Sequence, residues 1–178
     1  MTRATTVAVV RRHGRTAMAG DGQVSIEDTI VKRSAQKVRT MRDGQVMAGY
    51  AGAVADALTL FERLEQSLDE YNGNLPRACL ELVKQWRTDK VLRQLEALLL
   101  VADEDDIFLV SGTGDLIIPD EDVMAIGSGG GYATAAAKAL LRHTDMSARE
   151  IAETALHIAG EVCVYTNEEV TVHELPAE

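Results

Sequence analysis

Thr5-Thr-Val-Ala-Val-Val-Arg-Arg-His-Gly-Arg-Thr-Ala-Met-Ala-Gly-Asp-Gly-Gln23 is the stretch on which the reading of this chain turns. Thr5-Thr-Val-Ala-Val-Val10 is rich in β-branched residues and reads as a strand. His13-Gly14 is a turn, and Arg15-Thr-Ala-Met-Ala19 reads as the returning arm of a hairpin. Gly20-Asp-Gly22 reads as a second turn. The segment therefore predicts an antiparallel start, with two threonine hydroxyls at the head of its first strand.

Working outward, Lys37-Val-Arg-Thr-Met41 alternates polar and apolar, Asp43-Gly44 is a hairpin signal, and Gln45-Val-Met-Ala-Gly-Tyr50 follows as the partner strand. The period then changes. Leu58, Phe61, Leu64 and Leu68 lie three and four apart, which predicts one apolar helix face. Asn72-Gly73-Asn74 ends that helix. A second starts near Pro76, a residue suited to a first turn, with Cys79, Leu82 or Val83, and Trp86 on one side. Strand character returns at Ala97–Ala102, Ile107–Val110, Leu116–Ile118 and Val123–Ile126. After Gly127-Ser-Gly-Gly-Gly131 an alanine-rich helix runs to about His143. Ser147-Ala-Arg-Glu150 is a capping box, and the helix it opens is expected to end near Gly160. Glu161-Val-Cys-Val-Tyr165 and Val170-Thr-Val-His173 are the last strand candidates. Strands grouped as hairpins argue against an alternating parallel sheet. Two antiparallel sheets face to face, each covered by a helix pair, satisfy the pattern: an α+β, four-layer αββα sandwich.

The chain has 178 residues, 46% of them hydrophobic and 26% charged, enough for one domain with a core that needs no metal or disulfide staple. Lys+Arg number 18 against Asp+Glu 28, a formal charge of −10 that argues against a nucleic-acid surface. No apolar run is long enough to span a membrane. The apolar run near the N-terminus is too short for a signal-peptide core. Two distant cysteines, Cys79 and Cys163, fit a reduced, cytoplasmic protein better than a secreted disulfide framework. There is no P-loop, no G-x-S-x-G elbow and no H-E-x-x-H pair. The Thr5-Thr6 pair offers another chemistry. If the chain were cut before Thr5, one residue would carry both a nucleophilic hydroxyl and an amine able to take its proton. A reference α-amino pKa of about 7.7–8.0 suits that work near neutrality.

Thr5-Thr6, Arg11-Arg12, Gly14, Gly20-Asp-Gly-Gln23, Lys37-Val-Arg39, Ala48-Gly-Tyr-Ala-Gly52, Ala55-Asp-Ala57 and Thr59-Leu-Phe-Glu62 keep one register. So do Trp86-Arg-Thr-Asp89, Leu95-Glu-Ala97, Ala125-Ile-Gly-Ser-Gly-Gly130, Ser147-Ala-Arg-Glu-Ile-Ala152 and Tyr165-Thr-Asn167. In this collinear order, over essentially the whole chain, the sequence resembles the peptidase-subunit family of bacterial HslUV proteases, relatives of proteasome β subunits. The resemblance implies an N-terminal-nucleophile hydrolase with the αββα fold, acting as a threonine-type endopeptidase on unfolded proteins. It implies a homo-oligomer, a dodecamer of two stacked hexameric rings around a chamber. It also implies an HslU-type ring ATPase that unfolds substrates and threads them in, so that no nucleotide binds this chain.

Roles follow residue by residue from the resemblance. Thr5 matches the nucleophile. Lys37 matches the lysine whose cation lowers the α-amine pKa, and Asp21 the acid that orients it. Ser128 matches the serine that relays the proton. Gly49 matches the position whose backbone N–H faces the oxyanion. Gly160, Cys163 and Thr166 match a sodium site made of backbone carbonyls. Taken alone, Asp21 is a turn residue, Lys37 a solvated strand charge, Ser128 part of a strand-to-helix loop and Gly49 a weak point in a strand. Residues 1–4 are then a propeptide and 5–178 a single peptidase domain. Methionine removal alone would instead expose Thr2. A small-amide amidase of the same fold and a non-catalytic ring subunit are the competing functions.

Overall fold

The outer strands of the first hairpin meet chain from the far end of the sequence, and this decides the layering. In the computed structural model, which describes residues 2–3, 5–92, 95, 97–111 and 113–176, β1 (Thr2–Arg3) is followed by β2 (Thr6–Arg12) and β3 (Arg15–Asp21). A small hairpin, β4 (Val24–Ile26) and β5 (Thr29–Lys32), leads to the pair β6 (Val38–Met41) and β7 (Val46–Gly52). Then come α1 (Val54–Glu70), α2 (Leu75–Thr88), β8 (Ala97–Ala102), β9 (Ile107–Ser111), β10 (Leu116–Ile117) and β11 (Val123–Gly127). The chain closes with α3 (Gly130–His143), α4 (Ala148–Val162) and β12 (Val170–Leu175).

Two antiparallel sheets result, of order β11-β2-β3-β12 and β10-β9-β8-β7-β6, with β1-β4-β5 as a small third sheet. Alternation along β2 and β3 sorts the side chains into layers. Val7, Val9 and Met18 enter the core between the sheets with Val38, Met47 and Leu100. Ala8, Val10, Ala17 and Ala19 face the opposite way, against α3 and α4. The third core packs α1 and α2, with Leu60, Leu64, Leu82 and Trp86, on Leu99, Val101 and Val110 of the five-stranded sheet. Three apolar layers between four layers of structure are the αββα sandwich. Strands covered on both faces read as unbroken apolar runs, as Val7–Val10 does.

Local signals place the helices. The Asn74 side chain accepts the Arg77 N–H and caps α2, with Pro76 in the first turn. Ser147 and Glu150 form the reciprocal capping box of α4. On α1 the buried face is Ala57, Leu60, Phe61, Leu64 and Leu68, and Leu58 is turned outward. Stepping back from Phe61 reaches both Ala57 and Leu58, and the helix puts the smaller one under the sheet.

Two further expectations need correction. Gly20 and Asp21 are not a turn: β12 pairs along all of β3, from Val170 opposite Asp21 to Leu175 opposite Thr16, so the strand continues to Asp21. Glu161–Tyr165 is not a strand: α4 runs past Gly160 to Val162, and Val164 is 79% exposed with no sheet beside it. The hairpin β4–β5 was not expected at all. Of the expected propeptide, Met1 and Ala4 lie outside the described residues, whereas Thr2 and Arg3 pair antiparallel with Ile26 and Ser25. No helix among the described residues is long and apolar enough to cross a membrane.

Candidate active site

Strand β3 ends on a fully buried carboxylate. Asp21 Oδ1 accepts from the Thr6 N–H at 2.7 Å and from Lys37 Nζ at 2.7 Å. Its Oδ2 accepts from the N–H groups of Gln23 at 3.0 Å and Asn167 at 3.2 Å. Four donors fill the capacity of an ionised carboxylate. Lys37, brought in just ahead of β6 and 1% exposed, also donates to the Gln23 carbonyl at 2.5 Å. A buried ion pair repays its desolvation only with such additional hydrogen bonds. Burial pushes the Lys37 ammonium below its ordinary value, against the opposing charge and hydrogen bond of Asp21.

The same carboxylate oxygen thus touches both the lysine and the Thr5–Thr6 peptide. Thr5, 2% exposed, stands at the entrance to β2, and its carbonyl accepts the Ser128 N–H at 2.9 Å. The next hydroxyl is gripped too. Thr6 Oγ1 accepts the Gly129 N–H at 2.9 Å and hydrogen-bonds Thr166 Oγ1 at 2.7 Å. This clasp explains two glycines of the 127–131 run. A Cβ on Gly127 (φ +94°) would overlap the Thr5 carbonyl oxygen, and one on Gly129 would overlap Thr6 Oγ1. Ser128 itself is exposed and borders an open cleft of ≈ 520 Å³ with Tyr132, Val162, Cys163, Val164 and Tyr165.

Gly49 lies mid-strand in β7, between Val38 of β6 and Leu100 of β8. A Cβ there would sit 2.5 Å from Val7 Cγ1 and 3.2 Å from Met18 Sδ, so the two sheets approach closely over it. The Tyr50 N–H turns to the Lys37 carbonyl, so the Gly49 N–H turns the other way, into the pairing with Leu100, and does not face an oxyanion as the resemblance implied.

Gly160, Cys163 and Thr166 surround the end of α4. The last helix-type bond runs from the Cys163 N–H to the Ala159 carbonyl, and Cys163 then turns extended (φ −96°, ψ 116°). Carbonyls from Gly160 onward lie past that bond, at the negative end of the helix. Thr166 folds back to donate its N–H to the Cys163 carbonyl at 3.0 Å. The donor set is neutral oxygen, which suits a hard cation such as sodium. These residues border a second cleft, of ≈ 590 Å³, together with Gln23, Arg33 and Asn167.

The structure therefore brings Thr5, Asp21, Lys37 and the Ser128 backbone to one place, with Gly49 beneath and the 160–166 turn alongside. Thr6, Gln23, Gly129 and Asn167 complete it and had no assigned role from sequence. Each sits inside a resembling segment, but its partners are up to 160 residues away, beyond any spacing rule. An ammonium held beside the head of β2 would favour the neutral form of an amine placed there, which is the electrostatics an amine base requires.

Comparison with known proteins places this geometry. The family model described as proteasome subunit matches residues 1–175. A relative from Pseudothermotoga lettingae, named ATP-dependent protease subunit HslV, is 57% identical over 97% of this chain and 98% of its own. One of the same name from Syntrophobacter fumaroxidans is 57% identical over 96% of each chain. Among solved structures, eukaryotic HslV from Trypanosoma brucei superposes with a TM-score of 0.90 at 41% identity, over 95% of this chain and 98% of that one. A protein of Thiobacillus denitrificans designated BPH, in complex with epoxomicin, shares the fold at a TM-score of 0.72 and 21% identity, over 96% of this chain and 97% of its own. With a family match over nearly its whole length and relatives at this identity, the chain belongs to the proteasome-subunit family, within its HslV branch.

Proposed function

We propose that this chain is the threonine-type peptidase subunit of an ATP-dependent protease, with Thr5 as its nucleophile. The observation that carries the reading is the buried Lys37–Asp21 pair, whose shared oxygen also accepts the Thr6 N–H. A cut after Ala4 gives Thr5 a free α-amine. That amine takes the Thr5 Oγ1 proton as the oxygen attacks the scissile carbonyl. The tetrahedral intermediate collapses as the C–N bond breaks, and the proton passes to the leaving amine. Water, deprotonated by the same α-amine, then hydrolyses the Oγ1 ester, and the proton returns to Oγ1. Lys37 holds the amine neutral, Asp21 holds Lys37, and Ser128 relays the proton.

The register favours Thr5 over Thr2. Thr5 is the residue whose carbonyl Ser128 holds, whereas Thr2 pairs with Ile26 on the small sheet. Three residues of extended chain separate them, roughly 10 Å. Residues 1–4 are then the propeptide and 5–178 the mature domain. The assembly that fits is a dodecamer of two hexameric rings working with an HslU-type ATPase on unfolded proteins. Its compartment is the cytoplasm, in keeping with Cys79 and Cys163 as free, buried thiols. Gly160, Cys163 and Thr166 would hold sodium through their carbonyls, and its charge would brace the turn after α4.

Intact mass and N-terminal sequencing of the purified protein test the reading, together with Thr5→Ala. The expected terminus is Thr5, and Thr5→Ala is expected to assemble normally and cleave no peptide. Full peptide hydrolysis by Thr5→Ala would overturn it.

A further inference from the structure

The segment that delivers Lys37 is pinned from the other end of the chain. Asn167, in the loop between α4 and β12, uses both ends of its amide. Its Oδ1 accepts the Gly22 N–H at 3.0 Å and the Glu169 N–H at 3.2 Å. Its Nδ2 donates to the Arg33 carbonyl at 2.9 Å. Its own backbone N–H lies on Asp21 Oδ2 at 3.2 Å. Gly22 in turn accepts the Ala35 N–H at 2.9 Å, and a Cβ on Gly22 would overlap the Arg33 carbonyl oxygen. One side chain therefore ties the end of β3, which carries Asp21, to residues 33–35, which lead into Lys37.

We infer that Asn167 is a positioning residue for the peptidase reaction, fixing the Lys37 ammonium and the Asp21 carboxylate relative to the Thr5 terminus. The inference rests on the reading of Thr5 as nucleophile. Lys37 Nζ has two protein acceptors, Asp21 Oδ1 and the Gln23 carbonyl, and both belong to the segment that Asn167 clamps. Without the clamp, residues 33–36 are free to shift and take the ammonium away from the amine whose proton affinity it sets. Misplacement by about 1 Å costs on the order of a hundredfold in rate. The substrate does not touch Asn167 in this scheme, so its affinity is not expected to change.

Asn167→Ala and Asn167→Asp, made in the full chain and assayed as assembled rings, test this with a fluorogenic peptide. Each preparation is matched to the unsubstituted protein in N-terminus by intact mass. Asn167→Ala should lower kcat between about tenfold and about a hundredfold with KM nearly unchanged. The acid limb of its pH–rate profile should move to higher pH, because an amine farther from an ammonium binds its proton more tightly. Asn167→Asp keeps the acceptor for Gly22 and Glu169, loses the donor to Arg33 and adds a negative charge. It should assemble even where the alanine variant does not, with kcat lowered and the acid limb moved to higher pH. Unchanged kcat, or reduced kcat with an unmoved acid limb, in whichever variant assembles, overturns the inference. Thr5→Ala run alongside separates the two readings: if it is inactive and Asn167 variants are normal, only the positioning role fails.

Discussion

Replacing Asp21 by Asn tests whether the buried ion pair holds the fold as well as the reaction. The side chain keeps its shape and loses its charge. An Asn has one acceptor oxygen, and the site presents two pairs of donors: Thr6 N–H and Lys37 Nζ on one side, Gln23 N–H and Asn167 N–H on the other. With its oxygen toward Lys37, the new amide group faces two peptide N–H groups that then lack an acceptor, each costing about 1–3 kcal/mol. In either orientation the buried ammonium loses its counter-charge, a loss of about 3–5 kcal/mol. The expected destabilisation is at least about 3–5 kcal/mol, a large share of the roughly 5–15 kcal/mol that holds a typical domain. Urea unfolding at fixed protomer concentration measures it, since oligomer stability depends on concentration. Peptide hydrolysis should fall by about a hundredfold or more, the usual weight of a working acid–base group. A loss below about 1 kcal/mol, with activity within about threefold of the parent, would refute the argument that this carboxylate organises the site.

Two further outcomes follow from packing and burial. Gly129→Ala should destabilise by about 1–3 kcal/mol, because its Cβ overlaps Thr6 Oγ1 and lies 2.7 Å from Thr166 Oγ1. Adding Thr6→Ala removes the nearer oxygen, so a double-mutant cycle in urea should show the pair costing less than the sum of its parts. Burial pushes the Cys79 thiol from its ordinary 9.0 up to about 12, so folding favours its protonated form. The stability this contributes is complete below pH 9 and is lost as pH rises through about 12. Chemical denaturation between pH 8 and 11 should show that decline, and Cys79→Ala should flatten it.

The element order was legible because each element carries its own signal. The Asp43-Gly44 turn, the Pro76 first turn and the Ser147–Glu150 box all act within four residues, and all three appear where the sequence puts them. Gly20-Asp21 was misread as a turn because the strand that holds it straight, β12, comes about 150 residues later. Glu161–Tyr165 was misread as a strand because Val162, Val164 and Tyr165 favour sheets. No neighbouring strand is there to pair with them, and Val164 ends in solvent. In the site, resemblance pointed to Thr5, Asp21, Lys37 and Ser128. It did not reveal that the Thr6 hydroxyl and the Asn167 amide bind the pieces together. Those links join segments far apart in sequence, and propensity or periodicity carries no trace of them.

The bond between Thr6 and Thr166 has a consequence for the order in which this protein is made. A ribosome adding about 5–20 residues per second releases the head of β2 long before α4 and its following turn exist. Until Thr166 and Asn167 emerge, Thr6 Oγ1 lacks its second partner and Asp21 its fourth donor. Strand β12, which covers β3, comes later still. A nascent chain therefore carries the head of β2 without the frame that holds it, and the site closes only when the polypeptide is nearly complete.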